Sequence, residues 1–327
     1  MSNENTNNDL VNNIENTNEI ILNDKEFDKK IMIKNKEINE KYHKIKNYDL
    51  KKIDNNLILS ISIFPSNNLV CGFGNGDLKF FNNEFEENKN LMIKKAHKNN
   101  ILFIEIKDEN NFFTCSNDLT IKSWTKKNNI FENDLKIKDA HQDTINKIIY
   151  FDKLIISCSL DFKIKIWEKQ NQNYQLFNVL SHQNEIFSIL IIDNKLVSSG
   201  INETKIWDLK NFNELKAFEG INCYGRNGLN KIGDKTLILG GNLIVLISIQ
   251  NYNIIKKIKN NFVCWSICYF DGNLFIGGNS NVIKLYNLYD NSEPNKIITE
   301  SKEILGILRL NDAQIISYST DKVEIFE

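Results

Sequence analysis

Seven short stretches of alternating apolar residues, each ending in a bulky side chain, recur through this chain at nearly constant spacing. Six of them are Leu78-Lys79-Phe80-Phe81, Ile121-Lys122-Ser123-Trp124, Ile164-Lys165-Ile166-Trp167, Thr204-Lys205-Ile206-Trp207, Ile283-Lys284-Leu285-Tyr286 and Val323-Glu324-Ile325-Phe326. A degenerate copy, Leu243 to Ile249, carries Ile247 in the terminal place. The anchors 81, 124, 167, 207, 247, 286 and 326 are separated by 43, 43, 40, 40, 39 and 40 residues. Chance does not keep such a period over six intervals. A strand-rich repeat of about 40–45 residues supplies one radial sheet per copy. The expected fold is therefore all-β, a seven-bladed β-propeller over residues 47–327.

Each copy reads as four strands, most plainly in the third. There Ile145 to Phe151, Leu154 to Ser157, Lys163 to Trp167 and a segment near Tyr174 to Leu180 are separated by turns. Ile164 and Ile166 alternate as a strand with one buried face requires. Asn75-Gly76 is a hairpin signal, because both residues tolerate positive φ. Only two prolines, Pro65 and Pro294, interrupt 327 residues, so the ladders keep their donors. The last copy ends at Phe326-Glu327 without a fourth strand, while Tyr48 to Ile53 precedes the first copy. An open ring would expose strand edges. Residues 48–53 are thus expected to close the last blade.

Residues 1–46 differ from the repeats. Met1 to Asp24 is Asn-rich, with five acids and no Lys or Arg, and cannot bury enough surface to offset chain entropy. It is expected to be a disordered acidic arm. The Lys-rich stretch 25–46 repeats Ile31, Ile38 and Ile45 at sevens, the pattern of a short amphipathic helix. This helix either stays mobile or docks on the domain or a partner.

The repeat carries a resemblance. Ala96-His97, Ala140-His141 and Ser181-His182 stand where the WD-repeat propeller family has Gly-His. Trp124, Trp167 and Trp207-Asp208 stand at its Trp-Asp position, and Asp118 and Asp161 precede their Trp by six residues. The resemblance implies a hydrogen-bonded tetrad per blade: His97, Thr114, Asp118 and Trp124 in blade two, and His141, Ser157, Asp161 and Trp167 in blade three. Such a set locks a blade, because a Trp indole only donates, a carboxylate only accepts, and hydroxyl and neutral imidazole do both. A catalytic triad would use the same residue types, but nucleophilic sites do not recur once per blade. Blade four keeps His182 and Trp207, but its turn is a residue short and lacks the Asp. Blades five to seven lack the His, and blade one has Asn75 and Phe81 at the Asp and Trp places.

In the family this chain resembles, partners often dock on the face that bears the loops entering each first strand. Aligned entries place Leu57, Asn100, Thr144, Glu185, Arg226, Val263 and Glu303 in one ring. Two residues on come Leu59, Leu102, Asn146, Phe187, Gly228, Trp265 and Leu305. The candidate partner-binding face is therefore Asn100, Thr144, Glu185, Phe187, Arg226, Val263, Trp265 and Glu303. Trp and Arg are over-represented among binding hot spots. The alternative is that Trp265 and Phe187 plug the channel mouth and Arg226 is a solvated charge.

Other chemistry finds no support. The formal charge of −1 lacks the basic excess of nucleic-acid and membrane binders. No apolar run reaches the roughly 18 residues of a membrane span, and the polar N-terminus is no signal peptide. The six cysteines form no C-x-x-C pair, so no zinc site or other metal site is expected. Cys71, Cys115 and Cys158 follow apolar runs and read as small buried residues in a reducing compartment. No phosphate-binding or calcium loop is present, and no cofactor is expected. The expectation is a cytoplasmic, non-enzymatic scaffold or adaptor, with the nucleus left open. It would act as a monomer within a larger complex and bind a protein or peptide. A ubiquitin-ligase substrate receptor is the alternative, its sign being an adaptor-binding helix in 25–46; Trp207-Asp208-Leu209-Lys210 has Lys where cullin-recruiting propellers carry Arg, and Lys lacks the planar fork of Arg. A propeller hydrolase is the alternative of another class.

Overall fold

The computed structural model describes residues 44–49, 56–171, 173–270, 272–288 and 294–327. The expected disordered segment and the expected helix of 25–46, up to residue 43, lie outside them, and residues 44–46 are strand instead of helix. The strands form seven antiparallel sheets, six of four strands and one of three. Blade one holds Ile58–Ile63, Leu69–Phe73 and Leu78–Phe81. Blades two to six occupy 101–137, 145–181, 186–219, 229–259 and 264–298. Blade seven joins Gly306–Arg309, Ile315–Tyr318 and Lys322–Phe326 to Lys44–Asp49.

All seven anchors sit in one register. Phe81, Trp124, Trp167, Trp207, Ile247, Tyr286 and Phe326 face Leu69, Phe112, Ile155, Leu196, Leu237, Leu274 and Ile315 of the second strand. The reason is packing. The buried apolar side chains divide into seven clusters, each between two neighbouring blades. Every anchor belongs to the cluster shared with the preceding blade: Trp124 packs with Val70, Leu78 and Phe80 of blade one, and Phe81 with Ile316, Val323 and Ile325 of blade seven. Burying one large apolar side chain is worth about 1.5–3 kcal/mol, so an interface of roughly ten such residues dominates local stability. That is why the repeat demands a large residue every 40 or so positions but accepts Ile or Phe for Trp.

Polar bridges stitch the inner strands together. Ser60 Oγ donates to Ile101 O at 3.0 Å, Asn146 Nδ2 to Ile186 O at 2.8 Å, Ser188 Oγ to Arg226 O at 2.8 Å and Asn230 Nδ2 to Ile267 O at 2.9 Å. Each gives a main-chain carbonyl of the next blade a side-chain donor.

Three details differ from expectation. The closing strand is Lys44–Asp49, not 48–53. Lys44 pairs with Phe326 and Asp49 with Lys322, so residues 44–46 are strand rather than arm, and 50–53 lie outside the described residues. The shift reflects the length of the connection from a fourth strand to the next first strand, which runs from Asp49 to Ile58 here and from Ile137 to Ile145 between blades two and three. Blade one has no fourth strand. Asn82 Oδ1 accepts from the Glu84 and Glu86 amides and turns the chain back, and Phe85 stacks on Phe81 at 4.4 Å. Bridges at Phe81–Glu87 and Leu78–Ile93 then stand in for a ladder. At Asn75-Gly76 only the glycine takes positive φ, 84°. Asn75 instead uses its side chain, accepting from the Asp77 amide at 3.0 Å, an Asx turn.

Removing residues 1–49 strips blade seven of its outer strand and bares the Lys322–Phe326 edge. The truncated chain is expected to aggregate or melt well below the full chain, by circular dichroism and size-exclusion chromatography. A monomer with unchanged melting would refute the joint.

Candidate functional site

Three blades carry a complete polar chain. In blade two Trp124 Nε1 donates to Thr114 Oγ1 at 2.9 Å. The hydroxyl donates onward to His97 Nε2 at 2.7 Å, leaving Nδ1–H for the Asp118 carboxylate at 3.1 Å. Blade three repeats this with Trp167, Ser157, His141 and Asp161 at 2.9, 2.7 and 2.9 Å. Each carboxylate also accepts the main-chain amide after the His, from Lys98 and Gln142. Burial holds both imidazoles below their ordinary range, against the pull of the carboxylates. Burial would raise Asp161, but hydrogen bonds from His141 and the Gln142 amide outweigh it and hold the carboxyl at about 2. His97 and Thr114 are buried at 1% and 0% exposure, so the hydroxyl is closed off from solvent and its hydrogen-bonding capacity is taken up within the blade.

Blade four holds a chain that the sequence reading missed. His182 Nδ1 lies 2.9 Å from Glu203 and Nε2 2.6 Å from Ser198 Oγ, which accepts from Trp207 Nε1 at 2.8 Å. Glu203 lies four residues before its Trp instead of six, and its longer side chain makes up for the shortened turn. A lysine two residues before each Trp is the other omission. Lys165 Nζ donates to Ala140 O at 2.7 Å and Lys205 Nζ to Ser181 O at 3.3 Å, and Lys122 makes the same contact with Ala96 O. Each ammonium also lies over its Trp ring, 5.4–5.9 Å from the centroid, a cation–π contact. The recurrent Lys-x-Trp spacing was the available signal.

The entry face is shaped by bulges. The pairing of first and second strands skips one residue near its start in blades one, two, three, four and six. The skipped residues are Leu59, Leu102, Asn146, Phe187 and Trp265. A bulge frees a side chain from the ladder and re-aims it. Leu59, Leu102, Phe187 and Trp265, with Leu305 of blade seven, line one pocket of about 180 Å³ at the channel mouth. Asn146 spends its amide on Ile186 O and is not part of the lining. Leu57, Asn100, Thr144, Glu185 and Val263 share a main-chain role. Their carbonyls accept from Gly74, Asn117, Leu160, Ile201 and Asn279, at 2.9–3.2 Å. Glu303 is half-buried beside Ile304.

Blade five breaks the ring. Cys264 and Ile304 donate their amides to Gly241 O and Gly278 O, and Cys223, not Arg226, makes the matching bond to Gly200 O. Three residues lead from Cys264 to Ile267 and from Ile304 to Ile307, whereas six lead from Cys223 to Leu229. Arg226 and Gly228 therefore sit on a three-residue insertion rather than at the aligned ring positions. Gly225 within it lies so near blade six that a Cβ would meet Trp265 O at 1.9 Å. Asn227 O accepts from Ile267 N at 2.9 Å, and Asn227 Nδ2 donates to Tyr318 Oη of blade seven at 3.2 Å. The loop thus reaches over the channel and carries Arg226 into it. Arg226 Nε is fully covered and meets no acceptor. Burial lowers its pKa, and its guanidinium feels Cys115, Tyr318 and Cys158, of blades two, seven and three.

Deeper in the channel Lys147 is buried, with Nζ 3.3 Å from Ser188 Oγ and 5.1 Å from the Phe103 ring centroid. Burial raises the neighbouring Glu105 to about 7. All six cysteines are free and buried, and burial pushes Cys158 up to about 12, so these thiols are poor nucleophiles. Among the described residues no three His, Cys, Asp or Glu side chains gather as metal ligands, and no helix is long and apolar enough to cross a membrane.

Glu203→Ala leaves His182 Nδ1–H without its carboxylate and Lys205 with Glu214 alone, and urea unfolding at pH 7.5 should show a loss of about 1–3 kcal/mol. A separate expectation concerns acid. A histidine whose folded pKa is depressed contributes stability above its unfolded value of 6.5, and that stability is lost as the pH falls below it. With burial holding His182 down at about 4 as well, the urea midpoint of the intact chain should therefore drop between pH 6.5 and 4. A flat profile would contradict neutral, buried imidazoles.

The comparisons with known proteins agree with this architecture. The family model described as WD domain, G-beta repeat matches residues 133–168, from the fourth strand of blade two through the third of blade three. A search of curated proteins finds no match. Among solved structures the chain is similar to the WD40 β-propeller domain of Doa1, at 17% identity and a TM-score of 0.72, over 88% of this chain and 96% of that one. Likeness at this identity speaks for the fold. One blade thus matches the repeat's family model, and the chain as a whole folds as a seven-bladed β-propeller similar to that domain.

Proposed function

We propose that this chain is a non-enzymatic interaction scaffold that engages a protein or peptide partner at the channel mouth of its entry face. Propellers of this kind typically serve as protein-interaction scaffolds. The observation that carries the reading is the apolar collar of Leu59, Leu102, Phe187, Trp265 and Leu305 around one open pocket. A residue needed only as a plug would sit fully buried, as Ile101 and Ile186 do one step earlier on their strands. Phe187 and Trp265 instead stay half-buried. Apolar and aromatic groups that keep contact with water at a concave mouth are the usual anchors of an interface. The candidate face then comprises Asn100, Thr144, Glu185, Val263 and Glu303 as rim, with Phe187 and Trp265 as anchors and Arg226 in the same pocket wall.

Proximity labelling in cells with the full chain, beside Trp265→Ala and Phe187→Ala, tests this reading. Partners recovered by the parent and lost from both variants, at unchanged melting temperature, are expected. Identical partner lists from all three would overturn it.

A further inference from the structure

The insertion before blade five places a cation where an apolar ring needs none. Three residues, Tyr224 to Gly228 less the two that other blades spend there, exist only at this entry. Their effect is to seat Arg226 in the wall of the mouth pocket, together with Phe187 and Trp265. Its Nε is covered and has no acceptor, and no carboxylate pairs with it among the described residues. An unpaired buried charge is costly, and buried charges are normally paired and hydrogen-bonded. Tyr318 supplies a second donor. Tyr318 lines the same pocket, and its hydroxyl accepts from Asn227 Nδ2. No acceptor for its own proton appears among the described residues. The other channel cation, Lys147, is engaged with Ser188 and lies outside the pocket lining.

We infer that the channel mouth is a carboxylate-binding pocket, in which Arg226 and Tyr318 receive an acidic side chain of a peptide partner while the apolar collar grips the residues beside it. This rests on the entry-face reading and specifies it. A guanidinium offers a planar fork that matches a carboxylate with two parallel N–H···O bonds. Charge balance favours one carboxylate over a phosphate: a single arginine in an otherwise apolar pocket is neutralised by a monoanion, while a dianion would leave buried charge of the opposite sign. The occupant therefore reads as apolar–acidic–apolar, with the acidic residue a Glu or Asp.

Fluorescence anisotropy of the full chain with four sets of labelled nonapeptides tests the inference. The sets share mixed Leu and Phe flanks and differ at the centre: Glu, Gln, Lys or phosphoserine. The Glu set is expected to bind at least tenfold more tightly than the Gln set. Arg226→Gln should erase that difference without lowering the melting temperature, and Arg226→Lys should restore part of it. Equal affinity for Glu and Gln, tighter binding of phosphoserine, or no binding of the Glu set up to millimolar concentration would overturn the pocket. The two readings fail separately. If partners are lost from Trp265→Ala but retained by Arg226→Gln, the entry face stands and the carboxylate pocket falls; if both variants keep them, the face itself falls.

Discussion

A four-stranded blade has two apolar faces and cannot cover either by itself. Everything else in this molecule follows from that shortfall. Each face is dried only by a neighbour, so seven clusters are needed to dry seven blades, and they work only if the ring closes. The cluster between blades one and seven, where Phe73 and Phe81 meet Ile316 and Tyr318, is the one that makes the series circular. The anchor residues are the visible trace of this demand. They differ in chemistry, from Trp to Ile, but share one register and one neighbour.

Polar order is laid over that apolar frame unevenly. Blades two, three and four carry indole, hydroxyl, imidazole and carboxylate in series, with a lysine over the indole. Blades five to seven have no histidine at this place and rely on cluster packing with smaller substitutes, such as the Asn279 side chain accepting the Val263 amide at 2.7 Å. Buried networks are strong when every member is satisfied and costly when one is missing. The half of the ring with complete chains is therefore the half in which single polar substitutions are felt most.

Much of this was legible in the sequence. The period gave blade number, and alternation gave the third strands, because both are local consequences of a residue's place in a sheet. The strand boundaries of blade three were within a few residues of Leu154–Ser159, Lys163–Gln170 and Asn173–Ser181. What escaped was what depends on length bookkeeping between strands. Glu203 was hidden because the turn before Trp207 is shorter and the acid shifts along it. The blade-five insertion was hidden because Arg226 and Gly228 fill the aligned columns plausibly, and only the Cys223 amide bond to Gly200 O reveals the offset. The closing strand was misplaced for the same reason. A pattern locates elements well and the connections between them poorly, since loop closure tolerates extra residues at little cost.

The pairing of Lys44–Asp49 with Lys322–Phe326 sets an order of events during synthesis. Among the described strands, the one made first finds its partner in the one made last. Until residue 326 has left the ribosome, blades one to six can stack as an open arc, but its two ends stay wet and their edges unpaired. Such long-range pairing is slow and leaves nascent chains prone to association. The seam is thus the point at which a cell's folding machinery would have to shield this chain longest.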